Sequence, residues 1–143
     1  ASADYDGWER TEGKMASRKK IVLFIVDDDP QVLRALQRLF EGQGYQVHTF
    51  ESAVAARKAI RRRRPRLVIS DNYMPEIEGR VFLQELREAF PATRTVLLTG
   101  GFIDDRIKNA VATGVIDALV LKPWDLDDLL ERVRGLVERP ASS

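Results

Sequence analysis

The sequence predicts an α/β domain built on a five-stranded parallel sheet in the order 2-1-3-4-5, with helices on both faces. Five short apolar runs alternate with amphipathic stretches of about a dozen residues, the pattern left by strands joined through crossover helices. Four of those runs end on polar groups: Asp27, Asp28 and Asp29 after the first, Asp71 after the third, Thr99 after the fourth and Lys122 after the fifth. Packing alone does not explain that set. At 143 residues the chain holds one domain with a sizeable core and is too short for two comfortable ones.

The first strand is expected over residues 20–26, an apolar run that ends in carboxylates. Pro30 suits the first turn of a helix, and Val32, Leu33, Leu36, Leu39 and Phe40 then form one apolar stripe that Gly42 and Gly44 end. Residues 45–50 alternate as a second strand. Ser52 caps the weakest helix, whose apolar positions Ala53, Ala56, Ala59 and Ile60 are small. Leu67, Val68, Ile69 and Ser70 run uncharged into Asp71, and Pro75 soon ends regular hydrogen bonding. This is a buried strand that delivers Asp71 to the C-terminal edge of the sheet, where open α/β folds keep their ligand sites.

A helix over residues 78–90 follows, with Val81, Phe82, Leu83 and Leu86, and Pro91 stops it. The fourth strand covers residues 95–99. Gly100 and Gly101 make a flexible loop before a helix over about residues 104–113, which Gly114 terminates and whose Ile107, Ala110 and Val111 face the sheet. Residues 118–121 form the fifth strand, and Asp125 caps a last helix carrying Leu126, Leu129, Leu130, Val133, Leu136 and Val137.

The folded domain is expected over residues 18–139. Residues 1–17, with isolated Tyr5 and Trp8 and no sustained period, read as a flexible extension or a cloning remnant, and residues 140–143 as a small polar tail. The opening Ala1, in place of methionine, suggests a fragment or a processed form. No apolar run approaches the roughly 20 residues of a membrane span. The absence of cysteine excludes disulfides, thiolate metal sites and a cysteine nucleophile. With no secretory pattern, cytoplasm is the expected location.

The net charge of +1 gives no global case for nucleic acid. The cluster of Arg57, Lys58, Arg61, Arg62, Arg63, Arg64 and Arg66 reads as a solvated helix end whose cations suit the dipole, ahead of a phosphate-backbone contact. His48, the sole histidine, reads as a partly exposed strand residue and not as a base.

The strand order sets strands one and three side by side at the topological switch point, so Asp27, Asp28 and Asp71 converge. Carboxylates so crowded repel by an amount on the order of several kcal/mol, which calls for a cation. Magnesium suits them, because it prefers oxygen ligands and needs only one or two carboxylates beside water and phosphate. Lys122 supplies a second, movable positive charge, and Thr99 a hydroxyl donor. These groups fit a carboxylate nucleophile attacking a phosphoryl group. Asp29, directly before Pro30, reads as a helix cap.

The motifs V-D-D-D-P, V-I-S-D-N-Y-M-P, L-L-T-G and L-K-P-W, in that order and spacing, resemble the receiver domain of two-component response regulators over roughly residues 20–137. The resemblance implies a flavodoxin-like fold and a phosphoryl group taken onto Asp71 from a histidine kinase, a phosphotransfer protein or a small phosphodonor. It implies magnesium held by Asp27, Asp28 and Asp71 with the backbone carbonyl of Tyr73. Thr99 matches the switch hydroxyl, Lys122 the phosphate-binding lysine and Pro123 the proline usually preceded by a cis peptide. A partner-binding or homodimer face on the last two helices is implied too, with Ile103, Leu119 and Trp124 as candidates. The output domain or effector is not visible.

Leu119 stands where the family often carries Tyr or Phe, so a coupled threonine-to-aromatic rotation is not the expected switch. The segment 114–122 is one residue longer than the commonest pattern, similar to regulators that precede cyclic-dinucleotide phosphodiesterase or other enzymatic outputs. A rival reading is a haloacid-dehalogenase-like phosphatase, which needs a second acid two residues past its nucleophile; Tyr73 occupies that place. A never-phosphorylated adaptor is the third reading, and the intact acidic pair speaks against it.

Overall fold

The computed structural model describes residues 20–138. The expectations for residues 1–17 and 140–143, and the outermost positions of the 18–139 domain, lie outside the described residues. Ten elements alternate: β1 (Val22–Val26), α1 (Pro30–Glu41), β2 (Gln46–Phe50), α2 (Ala53–Arg63), β3 (Leu67–Asp71), α3 (Gly79–Ala89), β4 (Arg94–Thr99), α4 (Asp105–Ala112), β5 (Ala118–Leu121) and α5 (Leu126–Glu138). The sheet is parallel throughout in the order β2-β1-β3-β4-β5, as the alternation implies.

Alternation along each strand divides the core in two. Leu23, Ile25, Leu67, Ile69, Val96 and Leu98 point to one face, where Leu36 and Phe40 of α1 and Val133 and Val137 of α5 cover them. Phe24, Val26, Val68 and Leu97 point to the other, beneath Ala56 and Ile60 of α2, Phe82 of α3 and Ile107 of α4. The inward positions of α2 are the small Ala53 and Ala56 together with Ile60, all buried. All five residues of β3 are buried, which explains a run with almost no polar alternation.

The helix ends follow the expected chemistry. Asp29 caps α1 by accepting the Gln31 N–H at 2.9 Å, Ser52 caps α2 through the Ala55 N–H at 3.2 Å, and Asp104 caps α4 through the Ile107 N–H at 3.0 Å. Asp125 accepts the Asp127 N–H at 2.8 Å at the start of α5. The chain leaves α1 through Gly44 at φ 96° and α4 through Gly114 at φ 83°, conformations that favour glycine.

Some expectations change. Val111 is 39% exposed and does not face the sheet: α4 has only eight residues, Ile107 and Ala110 fill its inward stripe, and Ile116 of the following loop closes the gap. Leu126 is likewise exposed, at the first turn of α5. Ile103 and Leu119 are packed against the α2–α4 side of the core and Trp124 against the other side, so none stands free. The exposed apolar groups near them are Phe102, 79% accessible, and Leu121.

Candidate functional site

Parallel register brings the polar strand ends together. Val26 pairs with Ser70 across β1 and β3, Asp71 with Leu98 across β3 and β4, and Thr99 with Leu121 across β4 and β5. Asp27, Asp71, Thr99 and Lys122 therefore leave four strands at one level of the same edge. Each of Asp27, Asp28 and Asp71 offers a carboxylate oxygen, all within 4.8 Å of one another.

Asp27 is 1% exposed and Asp71 5%, while Asp28 lies at the surface. The Asp27 N–H donates to the Phe50 carbonyl at 3.1 Å, and Asp27 Oδ1 accepts the Asp29 N–H at 2.8 Å. Its other oxygen, Oδ2, is buried and accepts no hydrogen bond. Burial, and then the charges of Asp71 and Asp28, push the Asp27 carboxyl up to about 6 from 3.8, against the opposing pull of the Asp29 N–H and Lys122. Lys122 sets its Nζ 2.9 Å from Asp71 Oδ1 and 4.0 Å from Asp27 Oδ2. One ammonium for three carboxylates leaves negative charge uncompensated. The orphaned buried oxygen and the all-oxygen donor set fit a hard divalent cation such as magnesium.

Thr99 is fully buried and its Oγ1 lies 3.5 Å from the Gly101 N–H. The peptide between Lys122 and Pro123 is cis. Tyr73 is 52% exposed, and its ring lies over Gly101, where an added Cβ would come within 2.7 Å of the phenol oxygen. Lys122 also lies 5.5 Å from the Trp124 ring centroid. Asp29 serves as the α1 cap, apart from the cluster.

Sequence reasoning missed the supports of Asp71. A Cβ on Gly79 would lie 2.1 Å from the Asp71 carbonyl oxygen, so the start of α3 rests directly on the backbone of the acid. Asn72 ties the loop between them, accepting the Gly79 N–H on its carbonyl at 2.9 Å and the Arg80 N–H on its side chain at 3.1 Å. Gly100 performs a similar office for Lys122, whose stem passes 3.2 Å from where a Cβ would stand. The available signal was a glycine at the first position of a helix, where a side chain is ordinarily no burden.

The family model described as the response regulator receiver domain matches residues 23–134. The chain is 39% identical over 127 residues to response regulator Rre1 of Synechocystis, covering 86% of this chain and 54% of that protein. It is 34% identical to the transcriptional regulatory protein GlrR of Escherichia coli, covering 87% of this chain and 28% of that one. It thus spans about half the length, or less, of these curated relatives. Among solved structures, the signal receiver domain of an HD domain-containing protein from Pseudomonas fluorescens superposes with a TM-score of 0.79 at 30% identity, over 84% of this chain and 96% of that one. The response regulator TrrA from Thermotoga maritima, solved in complex with magnesium and beryllofluoride, gives 0.71 at 28% identity over 81% and 98%. With its sheet order, its clustered strand-end carboxylates and these matches in agreement, the chain belongs to the response regulator receiver domain family.

Proposed function

We propose that Asp71 is the phosphoacceptor of this receiver domain. The observation that carries the reading is the 2.9 Å ion pair between Lys122 and Asp71 inside a cluster of carboxylates at the C-terminal edge of the sheet. An Asp71 oxygen attacks the phosphorus of a phosphohistidine or small phosphodonor. The bond to Asp71 forms as the bond to the donor's leaving group breaks. Lys122 follows the charge onto the transferring oxygens, and the Thr99 hydroxyl donates to one of them once the acyl phosphate stands in place. Asp27, Asp28, Asp71 and the Tyr73 carbonyl would hold magnesium, which when bound neutralises charge on the phosphoryl oxygens.

The new anion redirects Lys122 and Thr99, and with them the loop after β4 and the face made by α4, β5 and α5. Exposed Phe102 and Leu121 suit that face to a partner or to a second copy. A sensor histidine kinase or phosphotransfer protein is the donor, in the cytoplasm. Intact-mass measurement after incubation with acetyl phosphate and magnesium tests the reading. One phosphoryl adduct is expected on the native chain and none on Asp71→Ala; an adduct that survives the substitution overturns it.

A further inference from the structure

The arginine-rich end of α2 has no part in that chemistry. Residues 57–66 carry seven cations and no acid, while the whole chain is net +1, so the remainder is net −6. The basic run stands at the opposite end of β3 from the Asp27, Asp28 and Asp71 cluster. Arg66 precedes β3 and Asp71 ends it, a strand length of about 17 Å. That is about twice the screening length at physiological salt, so those carboxylates do not cancel what the basic run presents.

The helix dipole explains little of this surplus, since a C-terminus is equivalent to only about half a negative charge. Arg57 pairs with Glu85, Arg64 lies over the Phe90 ring at 5.1 Å, and Arg66 donates to the Val137 carbonyl. Among the described residues the side chains of Lys58, Arg61, Arg62 and Arg63 have no hydrogen-bond or ion-pair partner, and all four are exposed. Beside them lies a shallow recess of about 670 Å³ lined by Lys20, Arg63, Arg64, Arg66 and Phe90.

We propose that this basic run binds the phosphodiester backbone of duplex DNA without reading its sequence. The chemistry of the patch selects among polyanions. Protein interfaces centre on apolar groups and stable membrane contact adds an apolar anchor, yet no exposed large apolar side chain lies within residues 57–66. Interfaces with DNA are instead polar and strongly cationic, and guanidinium forks match phosphate oxygens. Single strands require aromatic platforms for their bases, and Phe90 has a face covered by Arg64. The run read from sequence as a solvated helix end thereby gains a ligand class.

The test is fluorescence anisotropy of a short labelled DNA duplex titrated with the full chain across a salt series. Four free cations lead to an affinity that falls with salt at a log–log slope of about −3 to −4, equally for scrambled sequences. The Arg61→Glu/Arg62→Glu/Arg63→Glu variant, its folding checked by thermal melting, weakens binding at least about tenfold, and lysine at the same positions retains most of it. Unchanged binding by the glutamate variant overturns the proposal. So does displacement of the duplex by an oligoglutamate peptide of equal charge, which assigns the basic run to an acidic protein, or tighter capture by phosphatidylserine vesicles or by a single strand.

Discussion

Lys122 places its ammonium 2.9 Å from Asp71, although the two residues leave strands separated in the sheet by β4. The lysine therefore reaches across Thr99 to the only group in the cluster proposed to become covalently modified. Replacing it tests both of its duties. Lys122→Gln leaves buried carboxylates without their cation and lowers stability by about 1–2 kcal/mol, a figure reduced for a lysine one-third exposed. Urea denaturation measures that loss, and the same variant accepts phosphoryl from acetyl phosphate at least about a hundredfold more slowly, as expected when charge on transferring oxygens goes unpaired.

The raised Asp27 carboxyl makes the metal-free protein sensitive to pH. Its folded value of about 6 exceeds 3.8 for the unfolded group, so the folded state binds the proton more tightly. Asp27's contribution is greatest below 3.8, falls as pH rises toward 6, and is lost above it. In chelator, the midpoint of thermal unfolding should drop across that window by an amount equivalent to on the order of 2 kcal/mol. Magnesium added above the window restores it, and Asp27→Asn flattens the slope. A rise in stability across the same window, in the absence of metal, contradicts the assignment.

Gly79 is a structural requirement of the backbone at Asp71. The 2.1 Å approach of a Cβ to the Asp71 carbonyl meets backbone, which cannot swing aside. Gly79→Ala costs about 2 kcal/mol or more and displaces the loop that carries Asp71. Chemical denaturation and amide chemical shifts at Asp71 and Asn72 check both effects. Gly101→Ala meets only the movable end of Tyr73, and its cost is much smaller.

Tyr73 is expected to prolong the lifetime of the proposed phosphoryl group on Asp71. Neither it nor Gly101 carries a side-chain amide or carboxylate to orient a hydrolytic water, and the Tyr73 ring packs over Gly101. The phosphoryl group is expected to persist for minutes or longer without a phosphatase. Tyr73→Asn, which supplies an amide, shortens that lifetime. Loss from the native chain within seconds contradicts the idea, and phosphate release read over time measures it.

The strand ends were legible because parallel register is regular. Once five apolar runs alternate with helices, Asp27, Asp71, Thr99 and Lys122 are bound to one edge. Side-chain burial on α4 was not, since a short helix admits only one inward stripe and Val111 fell beside it. Contacts between distant segments left no local trace either. Asp117 accepts from Arg87 at 2.5 Å and from the Thr95 N–H at 2.9 Å, binding the far ends of α3, β4 and β5 through residues unremarkable in sequence. The clearance between Gly79 and Asp71 belongs to the same class, because a missing Cβ acquires meaning only when its neighbour is known.

The most direct measurement is reduction of the phosphorylated protein with borohydride, which converts an acyl-phosphate aspartate to homoserine, followed by peptide mass analysis. Conversion at position 71 alone is the expected result. Conversion at Asp27 or Asp28, or a phosphoryl group recovered on His48, would contradict the assignment of Asp71 as acceptor.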